Sequence, residues 1–223
     1  MVKRLGIVML SDYFGEKFKG HELLEGREVR IINNAVDTTL YRPVPKADAR
    51  QRLGLSEVDT LIAFVATYMS ETRKGLDLLS EAVSRIGNPR IKIIAVGKNI
   101  HHHSWPNVIE MGYKDTADAL CEVLSAADFF AMPSTEEAFA LSPMQAMACG
   151  RPVVAFPVSG TSELINDLNG VICSDFTVEA LQAGILTLMS RSYAAAIRQD
   201  MVTRFSPELI ASKYCSLFSD LLA

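Results

Sequence analysis

No hydrophobic run in this chain is long enough to cross a membrane: none approaches the ~18 apolar residues of a spanning helix. Lys3 and Arg4 precede an apolar stretch from Leu5 to Leu10, but Ser11 and Asp12 cut it off after about six residues. That is short of the roughly 7–15 residues of a secretory signal core. The expectation is a soluble, cytoplasmic protein, with peripheral contact at a membrane surface left open. Cysteine is scarce and never paired. Cys121, Cys149, Cys173 and Cys215 are widely spaced inside apolar patterns, which suits reduced core thiols rather than a disulfide frame. Basic charge is not in excess: 22 Lys and Arg face 26 Asp and Glu, for a net −4. With no long basic run, there is no electrostatic case for nucleic acid. A Gly-x-Gly-x-x-Gly after a strand is missing, which argues against a dinucleotide-dependent dehydrogenase. A Gly-x-Ser-x-Gly nucleophile elbow is missing too. His101, His102 and His103 are adjacent, but neighbouring residues rarely converge on one ion and no Asp or Cys stands at a ligand spacing. They read as a polar loop, and neither a metal nor another cofactor is expected.

What the chain has is core-forming material. It is 223 residues long and 49% hydrophobic, enough to fold as a single domain. Short apolar runs at 5–10, 29–32, 61–66, 91–96, 107–111, 128–132, 152–155 and 170–173 read as strands. Helical patterns lie between them near 12–24, 46–53, 75–86, 115–126, 141–149 and 161–165. Strands apolar on both faces and separated by helices predict a mostly parallel sheet covered on both sides. The fold class is therefore α/β, doubly wound and Rossmann-like, closed by helices at 177–190, 192–203 and 207–222. Pro43 and Pro45 mark a loop and Asn88-Pro89 ends a helix. No internal repeat or linker-like change in composition divides the chain, so residues 1–223 are expected to form one domain.

The densest information lies at 133–163, where a buried strand ends in an acidic loop, a helix rich in small residues follows, and a second strand opens onto a Gly turn. Such a run suits backbone amides and one carboxylate meeting a phosphate-bearing polar ligand. It resembles the donor-site segment of retaining glycosyltransferases of the GT-B fold, the family-4 or group 1 enzymes. The family pattern is Pro-Ser, then Glu-x-Phe-Gly-x-x-x-x-Glu, then Ala-Met-Ala-Cys-Gly-x-Pro-Val-Val. Here Glu137 stands at the first Glu, Phe139 at the Phe, and Ala146 to Val154 at the tail. Ala140 replaces the Gly and Gln145 replaces the second Glu. Arg30 to Asp37 with Tyr41-Arg42-Pro43, Arg73 to Leu79, and Arg204-Phe205-Ser206 resemble three further family elements. The similarity runs from about 29 to 222. Only some thirty residues precede it, so the chain reads as the nucleotide-sugar-binding half without the N-terminal acceptor domain.

The resemblance implies a site at the carboxyl ends of the strands, where open α/β sheets bind ligands. Lys74, with Arg73, would meet the donor diphosphate. The family's other Arg is here Met69, and its companion Gly is Ala66. Glu137 would contact the hexose hydroxyls and favour developing oxocarbenium charge; the competing reading makes it an acidic neighbour of a helix start. Backbone amides of Phe139, Ala140, Leu141 and Ser142 would face the phosphates. Gln145 would accept one ribose hydrogen bond, weaker than a carboxylate pair by the order of 1–2 kcal/mol. Gly112 and Tyr113 would meet the base. The turn from Ser159 to Glu163 reads as a helix cap.

The function so implied is hexose transfer from a UDP- or GDP-sugar, a co-substrate rather than a cofactor, to a glycan or lipid-linked acceptor, as in polysaccharide biosynthesis. A non-catalytic nucleotide-sugar-binding or interaction subunit is the alternative. The apolar stripe of helix 207–222 (Leu209, Ile210, Tyr214, Leu217, Phe218 and Leu221) implies a cover. An acceptor-domain polypeptide, a second copy making a homodimer, or the chain's own sheet would each serve. The isolated chain is expected to show no transfer above hydrolysis.

Overall fold

The structure, a computed structural model, describes residues 6–193 and 196–222. Its centre is a six-stranded, all-parallel sheet of β3 (Thr60–Tyr68), β4 (Ile91–Lys98), β5 (Val108–Gly112), β6 (Phe129–Met132), β7 (Val153–Ala155) and β8 (Gly170–Ile172). Their order in space is β5-β4-β3-β6-β7-β8. Alternation along the strands decides which helices cover which face. In β3, Leu61 and Ala63 join one buried cluster with Phe130, Val153 and Met147. Ile62 and Phe64 join another with Phe129, Val154 and Leu181. Helices α4 (Ala117–Ala126) and α5 (Leu141–Ala148) contribute to the first cluster, and α3 (Leu76–Ile86) and α7 (Val178–Ser190) to the second. Each fully buried large side chain contributes roughly 1.5–3 kcal/mol, so two apolar faces per strand hold the layers together.

Helix α2 (Lys46–Leu53) is anchored by a charge. Arg50, 3% exposed, donates to the carbonyls of Ala126, Ser56, Glu57 and Asp59 and to the Asp128 carboxylate. A buried cation is tolerated when it is bonded this completely.

Expected elements and observed ones differ in three places. The runs at 5–10 and 29–32 form β1 (Gly6–Met9) and β2 (Glu28–Ile31), but these pair only with each other, in a separate parallel sheet. The expected helix 12–24 stops early: α1 spans Asp12–Lys17 and a short 3-10 turn follows at Glu22–Leu24. Helix α8 covers Ala196–Phe205, later than the pattern at 192–203, part of which lies outside the described residues. α6 (Thr161–Leu164) is one turn long, and α9 (Pro207–Leu222) closes the chain. Ile210 and Leu217 of α9 bury against Ile32, with Val8 and Leu221 beside them. The small sheet thus covers part of the α9 stripe, while Phe218 stays 56% exposed.

Candidate functional site

Consecutive strands run outward from β3 to β5 on one side, and the chain then returns to β6 beside β3. The order therefore reverses between β3 and β6, and open α/β sheets bind ligands beyond the carboxyl ends of strands at such a point. The loops leaving these two strands are 69–75 and 133–140, the two that carry the sequence-expected charges. Loop 69–75 ends in a 3-10 turn, Thr72–Lys74, closed by Gly75 at φ +76. A Cβ at Gly75 would lie 2.1 Å from the Pro133 carbonyl oxygen, so the two loops touch because this residue has no side chain. Thr135 N–H donates to the Arg73 carbonyl at 2.9 Å and fixes the contact.

Across it the Lys74 ammonium donates to the Glu137 carboxylate, with the side chains 20% and 14% exposed. Arg73 turns the other way and donates to Glu71 at 2.6 Å. It still lines an open cleft of about 470 Å³ that Glu137, Glu136 and Ser159 share. Met69, at the family's Arg position, is 2% exposed and belongs to the core, so it brings no charge. Arg73 is the cation nearest in sequence to take that place.

Helix α5 starts at Leu141, just after Ala138 of the cleft lining, with no side-chain cap. Its first-turn amides have no intrahelical partner, and an anion satisfies such groups well. Ala140, the N-cap, sits at φ −73 and ψ 133, ordinary extended backbone, so the Ala in place of Gly carries no left-handed strain. Leu141 is exposed and Ser142 half-buried in the first turn. The Phe139 ring is 5% exposed and packs on Phe205 at 5.9 Å, so only its backbone can serve a ligand. Gln145 is half-buried one turn further on, and its amide makes no hydrogen bond among the described residues. Gly112 ends β5, two strands from β3, and Tyr113 follows it, 54% exposed with the Lys98 ammonium 5.2 Å from its ring centre.

The sequence reading missed one wall of the cleft. Tyr13, Phe14 and Lys17 of α1 line it. Glu163 holds them there: its carboxylate accepts from Asp12 N–H at 3.0 Å and Tyr13 N–H at 2.8 Å. Glu163 thus caps a helix about 150 residues away in sequence, and nothing local announces that. Ser159, on the same wall, has a left-handed backbone at φ +35, a strained conformation for a residue with a Cβ. His103 lies 3.7 Å from Asp77 and packs against Trp105 with the ring planes tilted by 47°. Among the described residues no group of three His, Cys, Asp or Glu is placed to hold a metal ion.

A parallel sheet with charged loops at its switch point is the Rossmann-like architecture of one half of a GT-B fold. Residues 59–191 match the family described as Glycosyl transferases group 1, and the chain belongs to that family. It is 31% identical over 180 residues to a D-inositol 3-phosphate glycosyltransferase of Segniliparus rotundus, covering 74% of this chain and 40% of that protein. An N-acetyl-alpha-D-glucosaminyl L-malate synthase of Bacillus anthracis is 24% identical over 221 residues, 91% of this chain and 56% of that protein. The chain therefore spans about half the length, or less, of these relatives.

Among solved structures, sucrose-phosphate synthase from Thermosynechococcus elongatus superposes with a TM-score of 0.81 at 24% identity, covering 97% of this chain and 58% of that one. Anabaena HepE in complex with UDP gives 0.80 at 21% identity, covering 96% and 63%. These two likenesses show the fold.

Proposed function

We propose that the chain is the donor-binding part of a retaining hexosyltransferase that uses a nucleotide sugar, with UDP- or GDP-sugars as the donor class. The observation that carries this is the meeting of Lys74 and Glu137 at the switch point, beside the uncapped start of α5. In this reading Lys74, Arg73 and the amides of Leu141 and Ser142 receive the diphosphate. Glu137 bonds the hexose hydroxyls and favours positive charge at the anomeric carbon, and Gln145 holds a ribose hydroxyl. The acceptor hydroxyl attacks the anomeric carbon from the face the diphosphate leaves. The bond from that carbon to the β-phosphate oxygen breaks, the hydroxyl proton passes to the departing phosphate, and the nucleoside diphosphate is released. No metal or cofactor enters this scheme.

The UDP and UDP-glucose held by Anabaena HepE support a uridine donor. The acceptor is proposed to be a glycan or a lipid-linked sugar. Its positioning would fall to a further domain or polypeptide contacting α9, or to a second copy of the chain. Met69 and Gln145 favour a second reading, a nucleotide-sugar-binding subunit without transfer, because each removes a charge from the family pattern.

Calorimetry with UDP-, GDP- and ADP-sugars tests the proposal. Binding of one class, weakened by Lys74→Ala, supports it; no binding to any of the three overturns both readings. Transfer measured with an acceptor-domain polypeptide supplied separates the enzyme from the bare binder.

A further inference from the structure

A second cleft lies at the opposite end of the sheet, where the strands begin. It holds about 460 Å³ between the starts of β3, β6 and β7 and the end of α7, and Asp128, Arg151, Arg191 and Tyr193 line it. Charge does not balance there. Asp128 is already satisfied by Lys46 at 2.9 Å, Arg50 at 2.8 Å and Leu61 N–H at 2.7 Å. Arg151 donates to the carbonyls of Cys149 and Ala127, at 3.3 and 3.1 Å, and forms no ion pair with a carboxylate among the described residues. Burial pushes its guanidinium below the ordinary value, as expected of a desolvated cation without a full counter-ion. Among the described residues Arg191 pairs only with Asp167, 3.6 Å away and itself 99% exposed. The Tyr193 hydroxyl is buried with no hydrogen-bond partner among the described residues.

Buried charges and buried hydroxyls are costly unless they are paired. Water could satisfy the hydroxyl and solvates Arg191, whose side chain is 44% exposed, but it would not neutralise the half-buried Arg151 guanidinium. Against an anion stand the carbonyl ends of α5 and α7, whose dipoles are negative here. Arg151 offsets the first of these by bonding the Cys149 carbonyl.

We propose that this cleft binds a phosphate group, as free phosphate or as a small phosphate monoester, through Arg151, Arg191 and the Tyr193 hydroxyl. Guanidinium forks match oxyanions bidentately, and the volume suits a small ligand. The site lies across the sheet from the donor cleft and does not depend on the donor reading.

Inorganic phosphate and glucose 1-phosphate, titrated into the chain at constant ionic strength and followed by amide chemical shifts, test it. Saturable shifts at Gly150, Arg151 and 188–193 are expected, unaffected by Lys74→Ala. Arg191→Gln and Tyr193→Phe, which leave the caps of α4 and α5 in place, should each weaken affinity about tenfold or less, the scale of one lost charge-assisted or neutral hydrogen bond. The tighter of the two probes identifies the form that is bound. Shifts confined to Lys74 and the start of α5, or no saturable change, overturn the proposal.

Discussion

Lys74 and Glu137 bond to each other across 63 positions of sequence, at the one place where the strand order reverses. The cation assigned to the diphosphate and the carboxylate assigned to the hexose therefore neutralise each other before any ligand arrives. A diphosphate must then compete with Glu137 for the same ammonium. Glu137→Gln should tighten UDP binding by about threefold to tenfold, roughly 0.7–1.4 kcal/mol. Lys74→Ala should weaken it by a comparable or larger factor. Calorimetry at low salt reads both. Equal losses in the two variants would mean that Glu137 organises the lysine instead of competing for it.

Much of this site was legible in the sequence. Loop, carboxylate and helix follow one another between 133 and 149, and apolar residues on both faces of β3 and β6 announce strands covered by helices on each side. What the sequence did not contain was contact between distant segments. The short apolar runs marked β1 and β2 as strands but did not say that they pair apart from the main sheet. Glu163 read as a local cap because its own turn suffices for that, yet its carboxylate bonds the start of α1. Phe139 is apolar, and its ring joined the core, as burial dictates, leaving only its backbone to the cleft.

Position 145 tests the ribose assignment. The Gln145 amide has no partner among the described residues, so a ligand hydroxyl has no competitor for it. Replacing the amide by a carboxylate, Gln145→Glu, should tighten a nucleoside diphosphate by about 1–2 kcal/mol, roughly tenfold. It should leave affinity for pyrophosphate, which lacks a ribose, unchanged or slightly weaker. A neutral result with the nucleotide would place the ribose elsewhere.

Gly75 and Gly87 separate backbone conformation from crowding. Both have left-handed backbones, at φ +76 and +71, but only Gly75 faces a neighbour, the Pro133 oxygen 2.1 Å from an added Cβ. Gly87→Ala should cost about 1 kcal/mol, the conformational term alone. Gly75→Ala should cost roughly 3 kcal/mol or more and also weaken UDP binding, because the loops carrying Lys74 and Glu137 are forced apart. Urea denaturation of the two variants compares them directly. Similar losses would show that loop 133–135 yields easily.

Helix α9 carries two kinds of apolar residue. Leu217 is 3% exposed against the small sheet, whereas Phe218 is 56% exposed. Leu217→Ala should cost about 2–4 kcal/mol, while Phe218→Asp should stay within about 0.5 kcal/mol of the parent. If a second copy covers the exposed strip, sedimentation of the parent should rise with concentration and that of Phe218→Asp should not. A parent that stays monomeric removes the second copy from the proposal.

Asp128 links folding to pH, and the direction is fixed by its neighbours. Burial pushes its carboxyl up, but the bonds from Lys46 and the Leu61 amide, together with the Arg50 charge, outweigh burial, and the group ends below its ordinary value. A carboxylate depressed in the folded state adds stability that is present above its unfolded pKa, about 3.9, and lost as pH falls through the folded value. Asp128→Asn also leaves Arg50, 3% exposed, with carbonyls alone to meet its charge. The variant should lose about 3 kcal/mol near pH 7, and the gap to the parent should shrink below about pH 3, where the parent's own carboxyl is protonated. Denaturation midpoints across that range measure it. A gap that stays constant with pH would mean that Asp128 acts through shape and hydrogen bonding, with its charge making no contribution.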